Sequence, residues 1–330
     1  MEAQTVIEKL YTALDEGTTV LAKEQDVTYL EALAEMGNNI FYQEVRQEVS
    51  EVSLASLEKK VQEAATLELQ AETVRKAFQL AVLKGMREAT QPHHAMTPDA
   101  VCGFMSYLLN KVTASYPKGY TILDLAVGSG NLLTALLNQS MQPANGLGFE
   151  VDETLLKLAF VNANLQERQL ELFHQDSLQV SKQGTVDIVA TDLPVGYYPR
   201  DDVAERFSLK AADGHSYIHH LMIEHGIRQV REAGYLLFVV PNGLFNSPYA
   251  QDLHAFLKEE TVILGLLQLP KSMFKAEQHE KSLLLLQKKG EGVRPPQQAL
   301  LAELPSFTKR EALADMVQQI NKWFDEQLGL

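Results

Sequence analysis

The segment Ile122-Leu123-Asp124-Leu125-Ala126-Val127-Gly128-Ser129-Gly130-Asn131 constrains the fold of this 330-residue chain more than any other. An apolar run of strand character breaks into a loop with two glycines, and a helical pattern opens over residues 132–138. Gly128 and Gly130 carry no Cβ, so the backbone can turn tightly and come close to a ligand. The first N–H groups of the following helix have no intrahelical partner and point at the loop. Glu150 lies 20 residues after Gly130, at the end of the next apolar run over 146–149. A carboxylate at that place can accept hydrogen bonds from ribose hydroxyls. The unit is suited to a nucleoside-containing ligand.

The choice of ligand follows from two further positions. A dinucleotide fingerprint needs a third glycine for close helix–strand packing, and Leu133 occupies that place. Asp124 adds a carboxylate at the strand end, which suits a cation or an amino group and works against a pyrophosphate. S-adenosylmethionine has both a sulfonium and an α-amino group. The pattern D-x-A-x-G-x-G resembles the first motif of class I methyltransferases. That resemblance implies a cofactor set of Asp124, Ala126, Gly128, Gly130, Asn131, Glu150 and Val151.

Composition narrows the class. Apolar residues make up 45% and charged residues 22%, a globular balance. No apolar stretch reaches the length of a membrane span, and residues 1–10 have no basic-then-apolar leader pattern. Cys102 is the single cysteine, so no intrachain disulfide can form, and a cytoplasmic location is expected. Net charge is −14, and residues 1–90 contribute half of it with 16 acidic and 9 basic residues. An acidic chain opposes tight nonspecific nucleic-acid binding but leaves room for a local basic groove.

Periodicity divides the chain. Residues 1–90 hold no proline and show apolar spacing of three and four, which predicts three to five helices. Thr28 with Glu31 reads as a capping box. These amphipathic helices make a homodimer plausible. The run Gln91-Pro92-His93-His94 breaks the pattern, and its histidines read as exposed loop residues. Thr97-Pro98-Asp99 opens another helix, with Thr97 as N-cap. From Tyr120 onward strands and helices alternate. Strands are expected at 121–125, 146–150, 170–174, 186–190, 235–240, 262–269 and 282–287. The fold class is therefore α/β: a doubly wound, seven-stranded, mostly parallel sheet with an N-terminal helical domain. The short connection over 270–281 makes the last strand antiparallel. The expected domains are 1–90 (helical), 91–290 (cofactor-binding) and 291–330 (linker and C-terminal amphipathic helix).

A second constellation closes the strand at 186–190 with Thr191-Asp192-Leu193-Pro194-Val195-Gly196-Tyr197-Tyr198. It resembles the (N/D)-P-P-(Y/F) motif of amino-methyltransferases, in particular type I restriction-modification methylation subunits. The resemblance implies that Asp192 and the main-chain carbonyl of Leu193 accept hydrogen bonds from a target amino group, with Pro194 matching the motif's second proline. Leu193 replaces the first proline and Val195 the aromatic residue that stacks on a flipped base. Tyr197 or Tyr198 could supply the ring. Met96-Thr97-Pro98 resembles the family's cofactor-facing loop, so Met96 and Thr97 join the cofactor set. Asp176 and Ser177 end the third strand, where Asp176 would accept from the cofactor's adenine amino group. Pro241-Asn242-Gly243-Leu244-Phe245 and Leu269-Pro270-Lys271-Ser272-Met273-Phe274 resemble two later segments. In order and spacing the likeness covers about 93–290, and it is to the YtxK-like methyltransferases, close to adenine-N6 DNA methylases. No region is long enough for a target-recognition domain.

His215 and His219 have the i, i+4 spacing of some zinc sites, but no cysteine or carboxylate accompanies them, so no metal is expected. Cys102 and Tyr217 read as core, or for Tyr217 as a pocket wall. The leading expectation is an S-adenosylmethionine-dependent N-methyltransferase acting on adenine N6 in DNA. Two alternatives stay open: a protein or small-molecule acceptor, and a degenerate cofactor-binding fold whose helical arm is an interaction module.

Overall fold

The computed structural model describes residues 3–88, 96–114, 116, 118–181 and 186–330. His93 and His94 lie outside them. Four helices come first: α1 (Ala3–Gln25), α2 (Tyr29–Tyr42), α3 (Glu51–Ala65) and α4 (Ala71–Glu88). Then follow α5 (Asp99–Val112), β1 (Tyr120–Asp124), α6 (Asn131–Asn138), β2 (Ala144–Glu150), α7 (Glu153–Leu165) and β3 (Leu170–His174). The remainder is β4 (Val186–Asp192), α8 (Asp201–Ala204), α9 (Ile218–Gln229), β5 (Val230–Pro241), α10 (Ala250–Glu260), β6 (Thr261–Gln268), β7 (Lys281–Lys288), β8 (Leu300–Glu303) and α11 (Arg310–Leu328). The strand order is β3-β2-β1-β4-β5-β7-β6-β8, with β7 antiparallel to both its neighbours. This is a mostly parallel sheet of the class I methyltransferase type. Among the described residues it has eight strands where seven are expected. The extra strand, β8, pairs parallel with β6 and lies inside the segment read as linker. A four-residue strand leaves too short an alternation to be read beside three prolines.

The chain forms two compact units, the first from residues 1–98, 127–139 and 146–175, the second from 99–126, 140–145 and 176–330. In the first, the helices bury Leu10, Leu14, Leu33, Met36, Phe78 and Val82 with Leu158 and Val161 of α7 in one apolar core. Thr28 caps α2 with the reciprocal capping box, its side chain taking the Glu31 N–H while Glu31 takes the Thr28 N–H. The N-terminal helices are therefore fastened to the helix that follows β2.

In the second unit, β1 and β4 pair parallel with Ile122 opposite Ile188, both fully buried. Asp187 fastens the start of this pair: it accepts the Thr121 N–H at 2.9 Å and the Arg231 Nε–H at 2.6 Å. Strand β5 pairs parallel with β4 and antiparallel with β7, which brings Lys281 opposite Pro241. The C-terminal helix α11 is held through its Asn321 side chain, which accepts the Tyr107 hydroxyl of α5 at 2.9 Å.

Gly37 of α2 is a close-packing point. A Cβ there would lie 2.2 Å from Val161 Cγ1. Val161 is β-branched and has one strongly preferred rotamer in a helix, so it cannot turn aside cheaply. Gly37→Ala gains up to about 1 kcal/mol of helix propensity but overpacks the contact at a cost of roughly 1–3 kcal/mol. A lower urea midpoint is expected, with recovery when Val161→Ala is added to the same chain.

Candidate active site

In the first unit the glycine loop follows from backbone demands. Gly128 has φ +55° and Gly130, at the N-cap of α6, has φ +79°, a region that side chains with a Cβ rarely occupy. A Cβ on Gly130 would also press on Ala159 at 3.3 Å, whereas one on Gly128 would meet nothing within 4 Å. The loop is held by the carboxylate at the end of β2. Glu150, 8% exposed, accepts the Gly128 N–H at 2.8 Å through Oε2, and the Val151 and Asp152 N–H groups at 2.8 and 2.9 Å through Oε1. Three of its roughly four acceptor positions are thus taken by backbone. Asn131 is buried and donates to the Thr97 carbonyl at 3.0 Å, joining the loop to the Met96–Thr97 segment. Val151 is exposed.

In the second unit, Asp124 is buried at the end of β1 and accepts the Ala126 N–H at 3.2 Å. The next backbone N–H, on Leu125, donates to Thr191 Oγ1 of β4 at 2.9 Å. Asp176 caps a short 3-10 turn through the Leu178 N–H and accepts the Gln179 side chain and the Tyr198 hydroxyl. Burial, then the Asp176 carboxylate, push the Tyr198 phenol well above its ordinary range, so it stays a donor. Ser177 Oγ is buried and, among the described residues, has no hydrogen-bond partner.

At the C-terminal end of β4, the Asp192 carboxylate accepts Lys281 Nζ at 2.7 Å. Leu193 is buried, and its N–H donates to the Val239 carbonyl at 3.1 Å. A proline could not make that bond, so leucine at this position pins the loop by a different means. Val195 and Tyr197 are 57% and 63% exposed, while Tyr198 is buried. The Tyr197 ring stacks on Tyr217, with centroids 5.2 Å apart and planes at 16°. The Ile218 N–H, at the start of α9, donates to the Gly196 carbonyl at 3.0 Å. His219 and His220 lie 5.3 Å from the Tyr217 ring. His215 sits before α9 and meets Asp201 at 3.0 Å, so it shares no helical face with His219 and the expected i, i+4 pair does not form.

The model for the YtxK N-terminal helical domain matches residues 8–86. The model for N-6 DNA methylases matches residues 86–326. The chain belongs to the N-6 DNA methylase family. This methylase is 47% identical over 325 residues to the uncharacterised protein YtxK of Bacillus subtilis, covering 96% of this chain and 97% of the relative. It is 38% identical to a Listeria monocytogenes protein assigned as a class I S-adenosylmethionine-dependent methyltransferase, at TM-score 0.90 over 97% of this chain and 99% of that one. A type I restriction-modification methyltransferase subunit from Streptococcus thermophilus shares the fold at 18% identity and TM-score 0.65, covering 95% of this chain and 74% of that one. Among the described residues no helix is long and apolar enough to cross a membrane.

The side chains of this methylase family member suit an adenosyl sulfonium cofactor. In the first unit the backbone at Gly128 is open to approach and, in the second, the Ser177 hydroxyl is buried with no hydrogen-bond partner among the described residues. Lys281 was not legible as a site residue: it is 89 residues from Asp192 and reaches it only through strand pairing. Arg75, which reaches Asn131 from 56 residues away, was missed for the same reason.

Burial pushes the imidazoles of His219, His220 and His225 down to about 4, with His220 adding to the effect on His219 and Arg228 to that on His225. In the unfolded chain they take up protons near pH 6.5. Stability from these groups is therefore complete above pH 6.5 and lost as pH falls towards 4, by roughly 2 kcal/mol each at pH 5. Urea midpoints at pH 7 and pH 5 check this, and His220→Gln is expected to lose less stability over that interval than wild type.

Proposed function

We propose that this chain transfers a methyl group from S-adenosylmethionine to an exocyclic amino group, adenine N6 in DNA being the favoured acceptor. The observation that carries the reading is the end of β4, where Asp192 and the pinned Leu193 are followed on the same loop by an exposed tyrosine ring. The cofactor, when bound, supplies a methyl group already activated by the sulfonium. The chain's work is positioning and exclusion of water. Gly128, Gly130 and Glu150 take the nucleoside, with Ala126, Asn131, Val151, Met96 and Thr97 around it. Asp124 faces the amino group of the methionine part. Asp176 and Ser177 serve the adenine. Asp192 and the Leu193 carbonyl accept hydrogen bonds from the target amine and draw its lone pair out of conjugation, while Pro194 shapes the turn. Tyr197, backed by Tyr217, offers the ring face that Val195 lacks, a stacking contribution of about 1–3 kcal/mol per base.

A second reading rests on charge. A groove of about 1150 Å³ in the second unit is lined by Asn242, Gln268 and three carboxylates, Glu277, Glu280 and Glu303, with Lys271 as its one cation among the described residues. Carboxylates there repel phosphates and favour a protein or small amine as acceptor.

Calorimetry with S-adenosylmethionine is expected to show micromolar binding that Asp124→Ala/Glu150→Ala loses. Asp192→Ala should keep that binding while methyl transfer falls at least about 100-fold. Tyr197→Ala should raise the KM for an adenine-containing oligonucleotide about 10-fold, in line with a lost stacking contact. Transfer to DNA that falls steeply with added salt supports the nucleic-acid acceptor. Transfer to a peptide or small amine with no such dependence supports the second reading.

A further inference from the structure

We infer that Arg75 is a positioning residue for the glycine loop, which makes α4 of the N-terminal helices a working part of the cofactor site. The inference rests on the cofactor reading above. Arg75 is fully buried, yet α4 otherwise gives Val74, Ala77, Phe78, Ala81 and Val82 to an apolar core. A guanidinium in such a place is costly unless it is paired and hydrogen-bonded. Glu72, one turn earlier, takes Nε and Nη2 at 2.8 and 2.7 Å in a two-pronged pair. The remaining arm, Nη1, reaches Asn131 Oδ1 at 2.7 Å.

That contact decides how the Asn131 carboxamide faces. Arginine only donates, so Oδ1 must point at Arg75 and the amide NH₂ must point away from it. The NH₂ then meets the Thr97 carbonyl at 3.0 Å. Asn131 is the first residue of α6, directly after Gly130. One orientation of one amide therefore ties two segments of the proposed cofactor site, the Gly128–Gly130 loop and Met96–Thr97, to a helix outside the sheet. On the other side of the loop, Asn162 Nδ2 donates to the Ser129 carbonyl at 3.1 Å. Without Arg75 the carboxamide loses the donor that fixes its oxygen, so its hold on the Thr97 carbonyl, and with it this fastening of the loop, is weakened.

The test uses the full chain and two readouts. In the ligand-free protein, backbone amide exchange over residues 127–131 is expected to speed up about 10-fold or more in Arg75→Met and Asn131→Ala. By calorimetry with S-adenosylmethionine, each variant should raise Kd about 10-fold, and the double variant should be no worse than the weaker single, because both remove the same tether. Arg75→Lys keeps a charge for Glu72 without the fork and should resemble Arg75→Met, which serves if the methionine variant does not fold. Leu57→Ala empties part of the same helical core from α3 and should lower Tm with Kd within twofold of wild type. Unchanged loop exchange in the Arg75 variants overturns the inference, as does a Leu57→Ala effect on Kd equal to theirs. Wild-type protein that binds no S-adenosylmethionine overturns the cofactor reading instead, while the exchange measurement still decides whether Arg75 holds the loop.

Discussion

The buried Glu150 carboxylate collects three backbone N–H groups, from Gly128, Val151 and Asp152. Bonds from backbone donors to an ionised acceptor are among the stronger hydrogen bonds a protein makes. Here they close a ring between the glycine loop and the end of β2, reinforced by the Val127 N–H on the Phe149 carbonyl at 2.9 Å. Asp152, placed by the same ring, caps α7 through the Leu155 N–H at 2.9 Å. The N-terminal helices then bury their apolar faces on α7. Loop, strand end and helical core of the first unit thus hang on one side chain.

The end of β4 departs from its family's motif in a way the structure makes intelligible. Leucine in place of the first proline buries its side chain and adds a hydrogen bond to Val239. Valine in place of the aromatic residue leaves a gap in ring surface. Two residues on, Tyr197 stands exposed on Tyr217, while Tyr198 is committed to Asp176. Lys281 beside Asp192 sets a cation next to the carboxylate proposed to receive the amine, so an incoming amino group shares that acceptor with it.

Much of this could be read from local pattern. The strand, loop and helix around Gly128 and Gly130, the capping box at Thr28 and the antiparallel direction of β7 all depend on neighbours within a few residues or on the length of one connection. Strand β8 could not be read, because four residues beside prolines carry no period. The i, i+4 spacing of His215 and His219 is not helical, because Tyr217 is drawn into a bridge with Tyr197 and α9 begins only at Ile218. Glu150 was legible as a carboxylate at the end of a strand, but not as the residue that holds the loop.

The sequence by itself determined the succession of the first seven strands, the positive-φ turns that only glycine adopts cheaply, and the identity of the carboxylates at the strand ends. These are short-range matters of side-chain period and backbone sterics. Tertiary structure decided which distant polar groups meet: Arg75 with Asn131, and Lys281 with Asp192, across 56 and 89 residues. Such pairs arise because strand order and helix packing bring distant segments together, and burial then obliges each polar group to find a partner.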